Sequence, residues 1–305
     1  MSLSVYIFSY NRGDFLAHAL ASVQQMMPDA AVNIVDDHSD DNETRAFLSQ
    51  CGVPVLYPQS ADKSRHGGLY QNMQQALDDC ATTYCLFLQD DMQIVRPVDA
   101  QDYTYIDDFF TAFPEAAFLN PVFLKGQRTK RDARITQVSS DFPVYFRNYP
   151  EKAHPRGISY ADVVIAHKPR LKAQSWQFEQ GEVASAERAM ALFGPMGMMR
   201  NPFVMFLPQV PVFRGKYKTW PVRLAERYAG NEPKAFVPMQ ENEVTVLRER
   251  EMSQLPVAEH YLMTCDKRIK KPFQYSVVNV YPLLRLCHKV ILQWRKWRQA
   301  RVDKA

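Results

Sequence analysis

Short apolar runs alternate with amphipathic stretches through the first 125 residues. Residues 3–8 are rich in β-formers. Residues 13–26 space Phe15, Leu16, Ala19, Leu20 and Val23 at helical intervals, with Pro28 beyond their end. Residues 31–35 predict a second strand, and residues 40–50, opening on Asp40-Asp41, a short helix. Residues 53–57 predict a third strand, and residues 68–80 a helix carried by Met73, Ala76 and Leu77. Residues 84–88 are almost continuously apolar, as in a strand buried on both faces. A helix over 106–113 and a strand over 116–119 follow. This β-α-β-α order predicts an α/β fold with a doubly wound, mostly parallel sheet flanked by helices.

Residues 125–157 carry a basic cluster (Lys125, Arg128, Lys130, Arg131, Arg134), then several prolines and aromatics, and are expected as an irregular excursion. Beyond them the pattern predicts a strand over 160–167, a helix over 182–193, a turn over 194–199, an apolar stretch over 203–207 and a helix over 222–228.

In doubly wound sheets, ligands bind beyond the carboxyl ends of the strands. Polar clusters fall there: Ser9-Tyr10-Asn11-Arg12 after strand one, Asp36-Asp37 after strand two, Gln89-Asp90-Asp91 after strand four. Asp90-Asp91 is the sharpest of the three. Adjacent carboxylates repel unless a cation sits between them or water screens them. A hard divalent ion chelated with a diphosphate supplies such a cation. A helix cap in a solvated turn is the alternative.

Four segments in order, SVYIFSYNR (4–12), VDDHSD (35–40), HGG (66–68) with Asn72, and FLQDDM (87–92), resemble the family 2 glycosyltransferases, whose fold is GT-A. The resemblance runs over about residues 3–95. It implies a nucleoside-diphosphate sugar of the UDP or GDP type as donor, a divalent metal (Mg²⁺ or Mn²⁺), and transfer with inversion to a hydroxyl of a glycan or glycolipid precursor. By the same resemblance, Tyr10 or Arg12 borders the nucleotide and Asp36 accepts a hydrogen bond from the base. Asp90 holds the ribose or the metal's water shell, and Asp91 ligates the metal. Gly68 lets the backbone approach the donor, because a Cβ there would obstruct it. His66 contacts the donor or caps the following helix.

Members of that family usually carry an acidic pair in the second half that supplies the catalytic base. This chain has no Asp or Glu between Glu187 and Glu226. The candidate bases are therefore Glu226, Glu187 and Asp162, each also readable as a structural or surface charge. The basic cluster at 125–134 contacts an anionic acceptor or the donor diphosphate, or else is a solvated loop. Trp176 and Trp220 are candidates for a sugar-stacking platform or for core packing.

Charge changes this picture at the C-terminus. The chain of 305 residues has a net charge of +4. Residues 266–305 hold eleven Lys/Arg and two acids, leaving 26 basic and 31 acidic residues in 1–265. The tail therefore carries +9 and the body −5, an asymmetry that suggests a surface-binding segment rather than a nucleic-acid protein. A helix over 282–301 gathers Leu283, Leu286, Cys287, Val290, Ile291, Trp294 and Trp297 opposite Arg285, His288, Lys289, Lys296 and Gln299. Tryptophans with a basic polar face suit an anionic membrane surface. Docking on the acidic body is the alternative.

Residues 1–230 are thus expected to form the GT-A domain, with 1–125 the nucleotide-sugar-binding half and 126–230 the acceptor half. Residues 231–305 are expected as a C-terminal extension with a basic amphipathic helix. The N-terminus lacks a basic region and a long apolar run, so no signal peptide is expected. Five cysteines without CxxC spacing suit a reduced, cytoplasmic setting, peripheral to the inner membrane face if the tail binds lipid. The rival functions are a nucleotidyltransferase that makes nucleotide sugars, and a non-catalytic nucleotide-sugar-binding scaffold.

Overall fold

The computed structural model describes residues 3–58, 68–147, 163–179, 181–211 and 218–302. The apolar first segment forms β1 (Leu3–Ser9), buried along its whole length. The chain continues through α1 (Gly13–Met26), β2 (Ala31–Asp36), α2 (Asn42–Leu48), β3 (Val55–Leu56), α3 (Leu69–Asp79) and β4 (Tyr84–Gln89). Helix α2 starts where Asp41 Oδ1 accepts from the Thr44 amide at 2.9 Å. After β4 come β5 (Met92–Ile94), α4 (Ala100–Ala112) and β6 (Phe118–Asn120), then α5 (Thr129–Ile135), β7 (Thr136–Val138) and β8 (Val144–Arg147). The second half adds β9 (Ile165–His167), α6 (Lys168–Ala173), α7 (Glu182–Phe193), β10 (Gly197–Met199) and β11 (Val204–Phe206). Four further helices close the chain: α8 (Trp220–Ala229), α9 (Glu241–Glu249), α10 (Ala258–Tyr261) and α11 (Pro282–Val302).

Among the described residues, nine strands form one sheet in the order β3-β2-β1-β4-β9-β6-β10-β8-β7. Pairing is parallel across β3-β2-β1-β4 and β6-β10, and antiparallel at β9 and β8. Seven of the nine strands therefore run one way. β5 and β11 pair separately and antiparallel. The α/β class with a mostly parallel sheet, flanking helices and a C-terminal helix is as expected from the sequence.

The period-two alternation of β1 assigns each residue to a layer. Leu3, Val5 and Ile7 pack in a cluster with Leu16, Leu20 and Val23 of α1 and Ile106 and Phe109 of α4. Tyr6 and Phe8 point to the other face, with Met73 and Leu77 of α3, Phe87 and Trp176. Helices thus cover both faces, which explains why β1 and β4 read as unbroken apolar runs.

Four segments differ from the expected pattern, one of them residues 194–199, where strand β10 occupies Gly197–Met199 of the expected turn. Helix α4 starts at Ala100 rather than 106, because Asp99 and Asp102 form a capping box. The excursion over 125–157 is ordered through Arg147. There the buried Asp132 carboxylate binds Arg131 at 3.0 Å and Arg147 at 3.5 Å, joining α5 to β8. The stretch after 230 divides in two. Phe236, Met239, Leu247, Leu262 and Phe273 share a buried cluster with Phe15, Val95, Phe123, Met205 and Leu207, so this part builds a core against α1 and the β5-β11 pair. Helix α11 packs instead against α8 and the 3-10 turn Val277–Val280.

A fully buried arginine locks these layers. Arg96, just past β5, makes a two-pronged ion pair with Asp102 of α4 (2.7 and 2.6 Å). It also donates to the Pro97, Asn201 and Pro202 carbonyls. Arg248 of α9 reaches the same carboxylate at 3.0 Å and Asp99 at 2.8 Å.

Candidate functional site

The parallel register sets the site. Ser9 lies opposite Asp36, and Phe8 opposite Gln89, so β1, β2 and β4 end level with one another. Their three polar turns leave the sheet side by side.

In the first turn, Asn11 takes the left-handed region at φ +53°, which asparagine tolerates better than most residues. Its side chain accepts from the Asp40 and Asp41 amides (2.8 and 3.1 Å) and donates to Asp40 Oδ1 at 2.6 Å. This brace joins the turn after β1 to the turn after β2. Tyr10 is half-buried beside it.

Asp36 is buried, and its oxygens accept from the Ser39 amide (2.7 Å) and the Ser39 hydroxyl (2.5 Å). Burial raises its pKa, and the Ser39 bonds oppose that. The next residue, Asp37, accepts from the Gly68 amide at 3.0 Å and from Asn72 Nδ2 at 3.2 Å, tying α3 to the rim.

A Cβ on Gly68 would lie 2.5 Å from Asp37 Oδ1 and 3.0 Å from Asn72 Oδ1. A side chain here would have to push the Asp37 carboxylate aside. Gly68→Ala should displace the Asp37 carboxylate and weaken nucleotide binding several-fold with a small loss of stability. Calorimetry beside thermal melting checks it, and unchanged binding would show that the Asp37 brace does not shape the site.

The third turn carries the charge. Ser9 Oγ donates to Asp90 Oδ2 at 2.9 Å. Arg12 Nη1 lies 3.1 Å from Asp90 Oδ1 and 3.5 Å from Asp91 Oδ2, while Nη2 donates to the Pro211 carbonyl at 2.8 Å. The cation expected between the two carboxylates is thus supplied in part by the protein. Burial works against the Arg12 charge, but Asp90 and Asp91 outweigh it and raise its pKa. Burial pushes the Asp90 carboxyl up to about 6, against the pull of Arg12 and Ser9.

Asp91 is served less well than Asp90. Its Oδ1 is buried with no hydrogen-bond partner among the described residues, which is costly for an anion. A divalent cation would satisfy that oxygen, so the donor chemistry fits a hard metal. Among the described residues no group of three His, Cys, Asp or Glu could hold a metal, so diphosphate and water oxygens would complete the shell.

Lys125 is the residue whose place only the structure reveals. Its ammonium rests 3.8 Å above the Phe206 ring and 4.4 Å above the Tyr275 ring. Burial, helped by Arg128, pulls its pKa down to about 8, and attraction from Asp91 and Glu259 opposes this. Glu259 anchors the segment by accepting from the Gly126 amide (2.7 Å) and the Phe273 amide (2.9 Å). Glu259 and Tyr275 lie in the stretch read from sequence as an extension, where no motif signals them.

The remaining candidates scatter. Glu187 is exposed on α7, away from Arg188, whose partner is Glu179 at 2.8 Å. Glu226 on α8 forms an ion pair with Lys218 at 2.9 Å. His66 and Asp162 lie outside the described residues. Trp176 is core, packed edge-on against Phe118 and Phe178. Trp220 is exposed at the start of α8.

The family model for Glycosyl transferase family 2 matches residues 4–99. That span contains all three rim turns, and over it the chain carries the glycosyltransferase family 2 pattern. No curated protein matches the chain. Among solved structures, residues 1–349 of S. aureus TarS align at 13% identity and a TM-score of 0.45, covering 68% of this chain and 60% of that one. The mannosyltransferase PcManGT of Pyrobaculum calidifontis, in complex with GDP-Man and Mn²⁺, aligns at 14% and 0.45, covering 82% and 65%. Glucosyl-3-phosphoglycerate synthase of Mycobacterium tuberculosis, with Mn²⁺ and UDP-glucose, aligns at 13% and 0.40, covering 65% and 68%. The chain spans about a third of the longer S. aureus TarS structure and less than two thirds of PcManGT.

Proposed function

We propose that this protein is a metal-dependent, inverting glycosyltransferase that moves a sugar from a nucleoside-diphosphate donor to a hydroxyl of a glycan or glycolipid precursor. One observation carries the reading: the Asp90-Asp91 pair stands at the level rim of a family 2 segment, with a buried Asp91 oxygen lacking a partner among the described residues.

Asp91, with Asp90 beside it, would hold the divalent cation, which when bound neutralises charge developing on the leaving diphosphate. Arg12 bridges both carboxylates and restrains their orientation. The turns after β1 and β2 form the floor for the nucleoside, with Tyr10, Asp36 and Gly68 at its edge. Lys125 sets a second positive charge near Asp91, suited to the donor phosphates. Inversion requires a base to take the acceptor proton as the hydroxyl attacks in line. Glu226, Glu187 and Asp162 remain the candidates. Lys218 holds Glu226 in the structure and competes with a hydroxyl for that carboxylate.

Calorimetry with UDP, GDP and CDP, each with and without Mn²⁺, followed by donor hydrolysis, tests the reading. Metal-dependent binding and turnover are expected. Pyrophosphate release from a nucleoside triphosphate and a sugar phosphate would replace the reading with a nucleotidyltransferase. Binding without turnover, whatever the acceptor, would leave a scaffold.

Lys125→Met should lower kcat/KM for the donor by about tenfold or more. The stability change should be small, because methionine keeps the contact with Phe206 and Tyr275. Steady-state kinetics measure it, and an unchanged kcat/KM would remove Lys125 from the donor site.

A further inference from the structure

The C-terminal helix has two apolar faces, of which the body covers one. Leu284, Cys287, His288 and Ile291 are half-buried; Leu284 packs with Val222, Ala225, Val277 and Val278, and His288 Nδ1 meets Thr219 Oγ at 2.8 Å. Leu283, Leu286, Val290, Trp294 and Trp297 form a separate stripe, spaced 3, 4, 4 and 3 residues apart, as one helical face requires. All five are more than half exposed, from 52% at Trp297 to 78% at Leu283. At about 100° per residue this stripe lies about 110° around the helix from the docked side. The seven apolar residues grouped from sequence as one face therefore divide. Cys287 and Ile291 are half-buried, and the other five are exposed.

Charge identifies what the stripe fits. Helix α11 contains six Lys/Arg and no Asp or Glu, and Arg285 and Lys289 are exposed beyond the stripe. A second copy of the helix would bring like charges together along the seam, where paired helices normally place opposite ones. An anionic lipid headgroup layer offers the complementary charge and an apolar boundary for leucine and tryptophan. No helix among the described residues is long and apolar enough to cross a membrane, so the geometry is that of a helix lying on the surface.

We propose that the Leu283–Trp297 stripe of α11 docks the protein on an anionic bilayer while the side bearing Leu284 and His288 stays fixed to the body. The docking does not depend on the transferase reading. Because α8 is held by α11 through Thr219 and His288, the bilayer would be attached to the helix that carries Glu226 and the exposed Trp220.

Flotation of the full chain with phosphatidylcholine vesicles, with and without phosphatidylglycerol, tests this. Binding to the anionic vesicles alone is expected, weakened by salt. The triple variant Leu286→Gln, Val290→Gln, Trp294→Gln should lower partitioning at least about tenfold. Lys289→Gln should lower it about fivefold. These side chains are exposed, so melting should be unchanged. Equal flotation with neutral vesicles, no flotation, or flotation unaffected by the triple variant would overturn the proposal. So would a wild-type dimer that the triple variant dissociates, which would assign the stripe to a second copy.

Discussion

Asp91→Ala should abolish metal-dependent donor binding and lower turnover by about a thousandfold or more, while leaving the fold as stable as before. The two halves of that expectation have different sources. The loss follows from the metal role proposed for Asp91. The retained stability follows from geometry: one oxygen is buried with no partner among the described residues, and the other touches Arg12 only at 3.5 Å. Little structure depends on this carboxylate, and removing it relieves repulsion with Asp90. Asp90→Ala should behave in the opposite way for stability, because Ser9 and Arg12 both lose a close partner. Calorimetry with Mn²⁺ and nucleotide, run beside thermal melting, separates the cases. Unchanged donor affinity in Asp91→Ala would remove the metal assignment.

Asp102→Ala should cost about 3–5 kcal/mol, the range for stripping the partner from a buried charge. Arg96 would keep three backbone carbonyls but no anion, in a place with no solvent access. Two further losses add to this. The Asp102 half of the α4 capping box is lost, and Arg248 of α9 keeps only Asp99. Urea unfolding checks it through the midpoint. A loss under about 1 kcal/mol would show that Arg96 had found water or another partner.

The strand ends were legible because they depend on local pattern. A buried parallel strand must be apolar, and the first residues past its end face the ligand crevice, so polarity begins where the strand stops. Ser9, Asp36 and Asp90 were marked in this way, and the register of β1, β2 and β4 then places them level. Over 125–147 the expected irregular excursion is instead ordered, for a related reason; residues 148–157 lie outside the described residues. Helix α5 and strands β7 and β8 have three to seven residues each, too few for a period to emerge, and they are ordered by the Asp132 ion pairs across the chain. Lys125 could be marked as part of a basic cluster facing an anion or solvent, but its place against Phe206 and Tyr275 could not, since Phe206, Tyr275 and Glu259 are 81 to 150 positions away.

The tail shows the division most clearly. Sequence alone determined that residues 282–301 form a basic, tryptophan-bearing helix, since helix formation and charge are properties of neighbouring residues. It also determined the doubly wound first half and the polar turns beyond its strands. Only the tertiary structure decided that residues 236–273 belong to the core, that Arg12 stands between the paired carboxylates, and that α11 gives one apolar side to the body and keeps the other exposed. Periodicity shows which residues share a face of an element. What covers that face depends on surfaces brought together from distant parts of the chain, and those are set by packing.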